Sequence, residues 1–278
     1  MQLGIGTYTY GWAIGVKGYA PANVMNETGL IKNAVHAGIH LIQMGDNLPL
    51  HTFTSKRRKV FSDELQRQGI AIELGARKMT TAHLQKYILL CGTMNSSMLR
   101  FLVDNKNFKP GLKEIEKIIR PHISLLRDNG VSLAIENHDR LKASELRALI
   151  ENIGCEEVGI CLDTANSLGV GEGITTVVDK LAPYTLNLHI KDTAIKRLPY
   201  KMGFTVNGCL TGKGILDIPG LLQALRKYKK CRTAILEQWT EPESDIEKTV
   251  KKEQEEAMAG IRYLKELFKT NNNYNESI

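Results

Sequence analysis

The chain has 278 residues, of which 42% are hydrophobic and 24% charged, as in ordinary globular proteins. No apolar run reaches the roughly 18–20 residues that span a bilayer, and the first residues lack the pattern of a secretory signal, so we expect a cytoplasmic protein without a membrane partner. The net charge of +7 leaves anionic substrates and nucleic acids open as partners, and the five scattered cysteines, with no CxxC pair, are typical of reduced thiols.

Short apolar runs alternate with longer amphipathic stretches along the whole chain. Eight runs have the length and composition of β-strands, and they span 3–10, 39–45, 70–76, 98–104, 131–137, 158–164, 185–191 and 233–239. Gly69 and Gly130 stand where predicted helices end, which is a usual position for a helix C-cap. The last helix is predicted to begin at Ser244, because Glu247 follows it at the spacing of a capping box.

This alternation predicts a single (β/α)₈ barrel, a TIM barrel, since that fold is usually built from about 250 residues. An open doubly wound sheet is the alternative, but the turn after the first strand, TYTYGWAIGVKG, has no G-x-G-x-x-G spacing. No linker rich in Pro, Gly or Ser divides the chain. We therefore predict one barrel domain over 1–268 and a disordered polar tail over 269–278.

Charged or imidazole side chains stand at the ends of the last four predicted strands, namely Glu136, Asp163, His189 and Glu237. Residues of the same parity on these strands are mostly small or polar, whereas the larger aliphatics, Leu186 among them, have the other parity. The larger aliphatics should therefore face the helices. In such a barrel, catalytic groups project from the carboxyl ends of the strands, so we expect these four side chains to meet at one rim.

Three carboxylates in one dry site would repel each other strongly unless a cation neutralised them. Three oxygen donors and one imidazole suit Mn²⁺, Mg²⁺ or Co²⁺, with Zn²⁺ as a further option and thiolate-preferring metals disfavoured. The pattern predicts one bound divalent metal ion, with Mn²⁺ preferred. The alternative is that each of the four residues belongs to a separate ion pair or cap.

A second set of polar or aromatic residues lies two positions beyond three of these side chains: His138, Lys191 and Trp239. Lys191 is a candidate for binding a substrate carboxylate or phosphate, His138 for proton transfer and Trp239 for packing against a sugar face. A salt bridge, a loop histidine and a cap on the core are the respective alternatives. Weaker candidates are the early-strand residues Asp46, Glu73 and Tyr8, and a basic loop, either a lid or a solvated segment, that carries Lys196, Arg197 and Lys201.

The motifs IENHD, CLDTAN, LHIKD and ILEQW resemble, in order and position, the metal motifs of the xylose isomerase-like TIM-barrel family. That family includes sugar-phosphate isomerases and epimerases, inosose dehydratases, hydroxypyruvate isomerase and endonuclease-IV-type DNA repair enzymes. The resemblance extends over essentially the whole chain. It implies that Glu136, Asp163, His189 and Glu237 are the four ligands of one metal, and that Glu136 and Glu237 are the catalytic pair that transfers protons on opposite faces of the substrate. The segment GKGILD (212–217) resembles a Gly-rich turn that such enzymes carry before their last helix.

The chain departs from the family pattern in two places. Many members have D-x-x-H where this chain has Asp163-Thr-Ala-Asn166, and Asn166 can hydrogen-bond a substrate hydroxyl but is a poor metal ligand. The early strand ends read QMGDN and ELGAR and lack the histidines of the repair nucleases, so we expect no nucleic-acid partner.

The resemblance implies a divalent-metal-dependent isomerase or epimerase of a ketose or related sugar derivative, acting by proton abstraction next to a carbonyl to give a metal-stabilised enediolate. A metal-dependent lyase, a dehydratase or decarboxylase of a keto-sugar acid or keto-inositol, is the main alternative. An endonuclease-type repair enzyme and a non-catalytic polyanion-binding barrel are weaker ones. The expected partner is a small sugar or sugar acid, and family analogy suggests a homodimer or homotetramer.

Overall fold

Eight parallel strands form a closed barrel in the computed structural model, which describes residues 1–273, with side chains to 270. Each barrel strand pairs with its neighbours in sequence, and the first strand pairs with the last to close the ring. Each of them overlaps one of the eight predicted strands, so the prediction of a TIM barrel is confirmed. A two-stranded antiparallel hairpin follows the seventh barrel strand. The strands are β1 Gln2–Gly6, β2 Leu41–Met44, β3 Ala71–Arg77, β4 Met98–Leu102, β5 Ser132–Glu136, β6 Val158–Asp163, β7 Thr185–Ile190, β8 Thr193–Arg197, β9 Phe204–Gly208 and β10 Thr233–Leu236.

Ten α-helices lie within the described residues, most of them in the connections between barrel strands. They are α1 Gly11–Ile14, α2 Glu27–Ala37, α3 Ser55–Arg67, α4 Thr81–Met94, α5 Leu112–Ile119, α6 Ile123–Asp128, α7 Ala143–Ile153, α8 Ile174–Leu181, α9 Ile218–Arg226 and α10 Ile246–Asn273. Gly69 and Gly130, after α3 and α6, have φ angles of +62° and +63°, the left-handed conformation of a C-cap glycine. None of the helices in this part of the chain is long and apolar enough to cross a membrane.

The last helix begins one position later than the sequence predicts. The carboxylate of Asp245 accepts the backbone N–H of Lys248 at 2.8 Å, so Asp245 rather than Ser244 caps the helix. Glu247 accepts the backbone N–H of Ala22 instead of closing a capping box. The helix continues past Phe268 to Asn273, and the remainder of the predicted tail lies outside the described residues.

The main hydrophobic core lies between the barrel wall and the helices. Helix α4 is an example. Leu84, Ile88 and Cys91 are spaced four and three residues apart, so they share one helix face, and all three are fully buried against the barrel. Tyr87 and Phe101 pack edge to face in the same region, with ring centroids 6.2 Å apart. This packing fixes the strands against the helices and so fixes the direction of the strand ends.

One predicted orientation is wrong. Strands β6 and β7 pair Ile160 with Thr185 and Cys161 with Asn187, so β7 has one extra residue at a bulge, Leu186. Leu186 belongs to a small cluster with Met98, Ala134 and Cys161, separate from the main core. The prediction that Leu186 faces the helices fails because the bulge interrupts the alternation of side chains on which it relied.

The barrel interior below the rim is polar. Glu73 is buried and accepts hydrogen bonds from Gln43 at 3.0 Å and from Asn187 at 3.2 Å. Asn187 in turn accepts the thiol proton of Cys161, with 3.1 Å between Sγ and Oδ1. Burial raises the pKa of Glu73 to about 7. Glu73 is thus part of an internal hydrogen-bond network beneath the strand ends.

Candidate metal centre

The carboxyl ends of four strands bring Glu136, Asp163, His189 and Glu237 together. Glu136 and Asp163 are the last residues of β5 and β6, His189 lies in β7 opposite Asp163, and Glu237 directly follows β10. All four residues are buried. Nδ1 of His189 lies 3.1 Å from Oε1 of Glu237 and 3.9 Å from a carboxylate oxygen of both Glu136 and Asp163. The structure therefore gathers three carboxylates around one imidazole.

The imidazole of His189 is suited to binding a cation. Neither of its buried ring nitrogens makes a hydrogen bond within the described residues, because the nearby carboxylates are not aligned for one. Burial, with Arg100 and Lys191 nearby, holds the pKa of His189 well below its usual range, so the ring is neutral and has a free lone pair. A divalent ion bound by His189, Asp163, Glu237 and Glu136 fits this donor set, and ligand atoms of the first three lie within 4.8 Å of one another.

Asn166 and backbone amides orient two of the carboxylates. Oδ1 of Asp163 accepts the backbone N–H groups of Ala165 and Asn166, both at 2.8 Å. The side-chain amide of Asn166 donates to Oε1 of Glu136 at 2.8 Å. Asn137 donates to the carbonyl of Asp163 at 2.9 Å and accepts its N–H at 2.7 Å. Hydrogen bonds of this kind fix ligand geometry around metal sites.

The ammonium group of Lys191 lies inside the cluster. Its Nζ is 3.0 Å from Oδ2 of Asp163 and 3.1 Å from Oε2 of Glu237. Burial alone would lower the pKa of Lys191, but the surrounding carboxylates more than offset this and raise it, so the side chain is cationic. The ring of Trp239 lies 5.0 Å from Nζ and is partly exposed at the rim. Lys191 and Trp239 thus lie together beside the four candidate ligands.

Arg100, which lies in β4 and is buried, is not among the site residues predicted from the sequence. Its Nε contacts the carboxylate of Glu136, and its Nη1 donates to Asp46 at 2.9 Å. Burial raises the pKa of Glu136 to about 7, although the charge of Arg100 opposes the shift. Arg100 has the same strand parity as Met98, which packs inside the barrel, so an arginine at an inward position was the available signal.

Two further predicted residues, His138 and Tyr8, lie beside side chains other than the four candidate ligands. His138 follows β5, and its Nδ1 lies 3.1 Å from its neighbour Asp139, with no hydrogen bond to the four candidate ligands. Tyr8 lies below the guanidinium of Arg100, 5.8 Å from ring centroid to Cζ.

Cys161 lies within 4.8 Å of Glu136 and His189, but burial raises the pKa of its thiol, so it is protonated and a poor ligand.

The basic loop after β7 contains the β8–β9 hairpin. Lys196 lies 3.7 Å from Glu241, and Asn207 donates to the same carboxylate, so Glu241 links both strands of the hairpin to the loop after β10. Arg197 stacks over Phe204, 4.2 Å from the ring centroid, on the solvent side. These contacts hold the hairpin beside Trp239.

Three known proteins resemble this chain over nearly its whole length. A relative in Pectobacterium atrosepticum, named 3-oxo-isoapionate decarboxylase, is 27% identical over 267 residues, which are 95% of each chain. A D-psicose 3-epimerase from Clostridium cellulolyticum H10 has a TM-score of 0.72 at 11% identity and covers 96% of this chain and 99% of its own. A xylose isomerase-like TIM barrel protein from Mycobacterium smegmatis, solved in complex with magnesium, has a TM-score of 0.67 at 14% identity, with 94% and 96% covered. The two structural similarities establish a shared fold.

The family profile agrees with the motifs and the barrel. It is that of the xylose isomerase-like TIM barrel, and it matches residues 31–267. This range includes seven of the eight barrel strands and all four side chains of the candidate metal centre. The chain therefore belongs to the xylose isomerase-like TIM barrel family.

Proposed function

We propose that the protein is a divalent-metal-dependent lyase that decarboxylates a 3-oxo sugar acid. The observation that carries this proposal is the buried ammonium of Lys191 among the candidate ligands. Three carboxylates with Lys191 and Arg100 leave one net negative charge at the centre, and a divalent ion would convert it to one net positive charge. A substrate with a single carboxylate would neutralise that charge, whereas a neutral ketose would leave it uncompensated in a buried site.

The relative in Pectobacterium atrosepticum supports the same chemistry. It aligns with 95% of this chain, and its name describes the decarboxylation of a 3-oxo sugar acid. The family resemblance of the motifs implies isomerisation first and lyase chemistry as the main alternative. The charge of Lys191 and the extent of this alignment favour the lyase.

The residues of the centre have roles that follow from their chemistry. When bound, the metal supplies a Lewis acid that favours negative charge on the 3-oxo oxygen. Lys191 adds a fixed positive charge beside the same centre, where charge develops as the bond between the carboxyl carbon and its neighbour breaks. The electron pair moves toward the oxo group and CO₂ leaves. Glu136 is ionised in the resting centre, but because burial raises its pKa to about 7 it can take up a proton from water and donate that proton to the carbon that CO₂ has left.

Isomerisation or epimerisation of a ketose is the second candidate. Glu136 and Glu237 both lie within 4 Å of His189, at 3.9 and 3.1 Å, so two acid–base groups flank the same centre. Such a pair suits removal of a proton by one carboxylate and its return by the other. In the decarboxylation that we propose, one of these groups is enough, because the substrate loses CO₂ rather than a proton.

The test is a comparison of products with the full chain and added Mn²⁺. With a 3-oxo sugar acid such as 3-oxo-isoapionate, we expect release of CO₂ and a ketose in equal amounts. With ketoses in D₂O, we expect no metal-dependent entry of deuterium next to the carbonyl. Deuterium exchange in ketoses without CO₂ release from any 3-oxo acid would favour the isomerase and overturn the lyase.

The remaining assignments form part of the same proposal. We propose Mn²⁺ as the metal, with Mg²⁺, Co²⁺ and Zn²⁺ as alternatives in the same donor set. Substrate binding is assigned to Lys191, Asn166 and Trp239 beside the ligands, and His138 is a weaker candidate because it pairs with Asp139. A cytoplasmic location, a single domain and a dimer or tetramer stay predictions.

A further inference from the structure

A second cavity opens at the same end of the barrel as the candidate metal centre. Its volume is about 430 Å³, within the range of small-molecule sites. Most of its lining comes from the segments that follow β2, β3 and β4 and from the start of α4. The lining residues are Asp46, Pro49, His51, Arg77, Lys78, Thr80, His83, Tyr87 and Asn105.

Arg100 links this cavity to the metal centre, because it contacts one carboxylate of each. Asp46 lines the cavity, and its Oδ1 accepts a hydrogen bond from Nη1 of Arg100. The Nε of the same arginine contacts Glu136, which is a candidate metal ligand. A substrate held at the metal centre therefore has the cavity as its neighbour on the Arg100 side.

The cavity has an excess of positive charge. Asp46 is its single carboxylate and is already paired with two arginines, Arg100 at 2.9 Å and Arg77 at 3.1 Å. The side chain of Arg77 forms no hydrogen bond within residues 1–270; its ion pair there is the one with Asp46, and the side chain is 40% exposed. The side chain of Lys78 forms no ion pair or hydrogen bond within residues 1–270, the part with described side chains, and is exposed. Two cationic groups are thus available to a ligand.

Neutral hydrogen-bonding groups complete the lining. Nδ1 of His51 lies 2.9 Å from the hydroxyl of Tyr87, and the rings of His51 and His83 pack at right angles with centroids 4.9 Å apart. Burial lowers the pKa of His83 to about 4, with His51 and nearby lysines adding to the shift. Burial also lowers the pKa of His51, so both rings are uncharged near neutral pH and each has one N–H. Donors and cations that outnumber the one carboxylate, which is already paired, suit an oxyanion.

We propose that this cavity binds an anionic group, a phosphate ester or a second carboxylate, at the end of the substrate remote from the reacting carbons. This proposal rests on the proposed function for the position of the reacting carbons. It predicts that sugar acids with a further anionic group bind more tightly than those that carry the reacting carboxylate alone. Arg77 and Lys78 would supply the charge, and His51 and His83 the hydrogen bonds.

Binding of inorganic phosphate to the full chain tests this without turnover. Calorimetric titration, with and without Mn²⁺, should show saturable binding in the millimolar range. Lys78→Gln and Arg77→Gln should each weaken it about tenfold, the effect of losing one charge-assisted contact of ~1.4 kcal/mol. Lys113→Gln, at an exposed site on α5, is the matched control and should bind as wild type. A parallel titration with acetate separates preference for phosphate from preference for carboxylate.

His189→Ala separates the cavity from the metal centre. Phosphate binding that persists in this variant and weakens in Lys78→Gln supports the proposal. Binding that is lost in His189→Ala and unchanged in Lys78→Gln would place the anion on the metal. Absence of phosphate binding to the wild-type chain would show that the cavity takes no anion. Either result overturns the proposal. Because Lys78 is exposed, its variant should fold even if Arg77→Gln does not. Failure of decarboxylation with intact phosphate binding would count against the proposed reaction alone.

Discussion

His189 lies at the middle of the candidate metal centre, with both ring nitrogens buried and without a hydrogen bond in the described chain. An imidazole left in this state costs free energy, since each buried polar atom has lost water without gaining a partner. A metal ion bound to one nitrogen removes part of that cost. The ring of His189, with neither nitrogen hydrogen-bonded, is the strongest structural argument for a bound cation.

We predict that His189→Ala weakens Mn²⁺ binding by more than the roughly 10–100-fold that loss of an outer-shell partner costs. Asp163→Asn should have the same effect, because it removes another candidate ligand. Metal content after dialysis, measured by mass spectrometry, reports the loss. His36→Ala, at an exposed position on α2, is the control and should keep the metal of the wild type. Full metal content in His189→Ala would contradict the assignment.

The second prediction concerns the roles of Glu136 and Glu237 in catalysis. Glu136→Gln should lower the rate of CO₂ release by about 10²–10⁴-fold, since the amide cannot donate the proton that the carboxyl group supplies. Glu237→Gln should lose activity through the metal, because Glu237 is the carboxylate nearest to His189. Rates at saturating Mn²⁺ distinguish the two. Wild-type turnover in Glu136→Gln would exclude it as the acid.

The third prediction concerns Arg100 and the stability of the folded chain. Arg100 is buried between Asp46 and Glu136, so Arg100→Met leaves the buried Glu136 and the partly buried Asp46 without their shared partner. We expect the free energy of unfolding, from urea titration of the metal-free protein, to fall by about 3–5 kcal/mol. Adding Glu136→Gln to Arg100→Met should restore part of this loss, because one of the unpaired charges is removed. A loss no larger than that of Arg262→Met, at an exposed position on α10, would refute the argument.

The connection between β7 and α9 owes its shape to one carboxylate, that of Asp192. Its oxygens accept the backbone N–H groups of Gly212 and Gly214, both at 2.9 Å, and of Leu216 at 3.2 Å. A side chain at Gly214 would collide with Asp192 itself. This explains why the GKGILD segment contains two glycines: they allow the backbone to fold around the buried carboxylate of Asp192.

We predict that Asp192→Asn destabilises this connection, since an amide nitrogen would face N–H donors. The free energy of unfolding should fall by about 2 kcal/mol or more, the usual worth of a hydrogen bond to a charged group. Hydrogen exchange should show faster exchange at Gly212 and Gly214. Asp179→Asn, at an exposed site on α8, should leave both measurements unchanged. Unaltered exchange at the two glycines in Asp192→Asn would disprove the role of the acid.

The whole barrel buries several carboxyl groups inside its strands, and this makes its stability depend on pH. Burial raises the pKa of Glu73 from 4.5 to about 7. Between these values the unfolded chain has already lost a proton that the folded protein retains, so stability falls as pH rises. The cost is absent below about pH 4.5 and fully present above pH 7, on the order of 3 kcal/mol for this group.

We therefore predict that Glu73→Gln becomes more stabilising, relative to wild type, as pH rises from 5 to 8. The change in relative stability should be on the order of 2–3 kcal/mol, measured by urea unfolding at both pH values. Glu114→Gln, at an exposed position on α5, is the control. A Glu73→Gln variant with the same pH dependence as wild type would show that the folded protein ionises Glu73 readily.

The amino-acid sequence by itself determined the number and order of the barrel strands and the four residues at their ends. Both follow from local information, the period of apolar side chains and the position of polar ones after each strand. The positions of Arg100, Leu186 and the second cavity were decided by tertiary structure. A strand-pairing bulge placed Leu186 in the inner cluster, and the pairing of β4 with β5 placed Arg100 beside Glu136. Such contacts join residues far apart in the chain, so their geometry exists only after the barrel has closed.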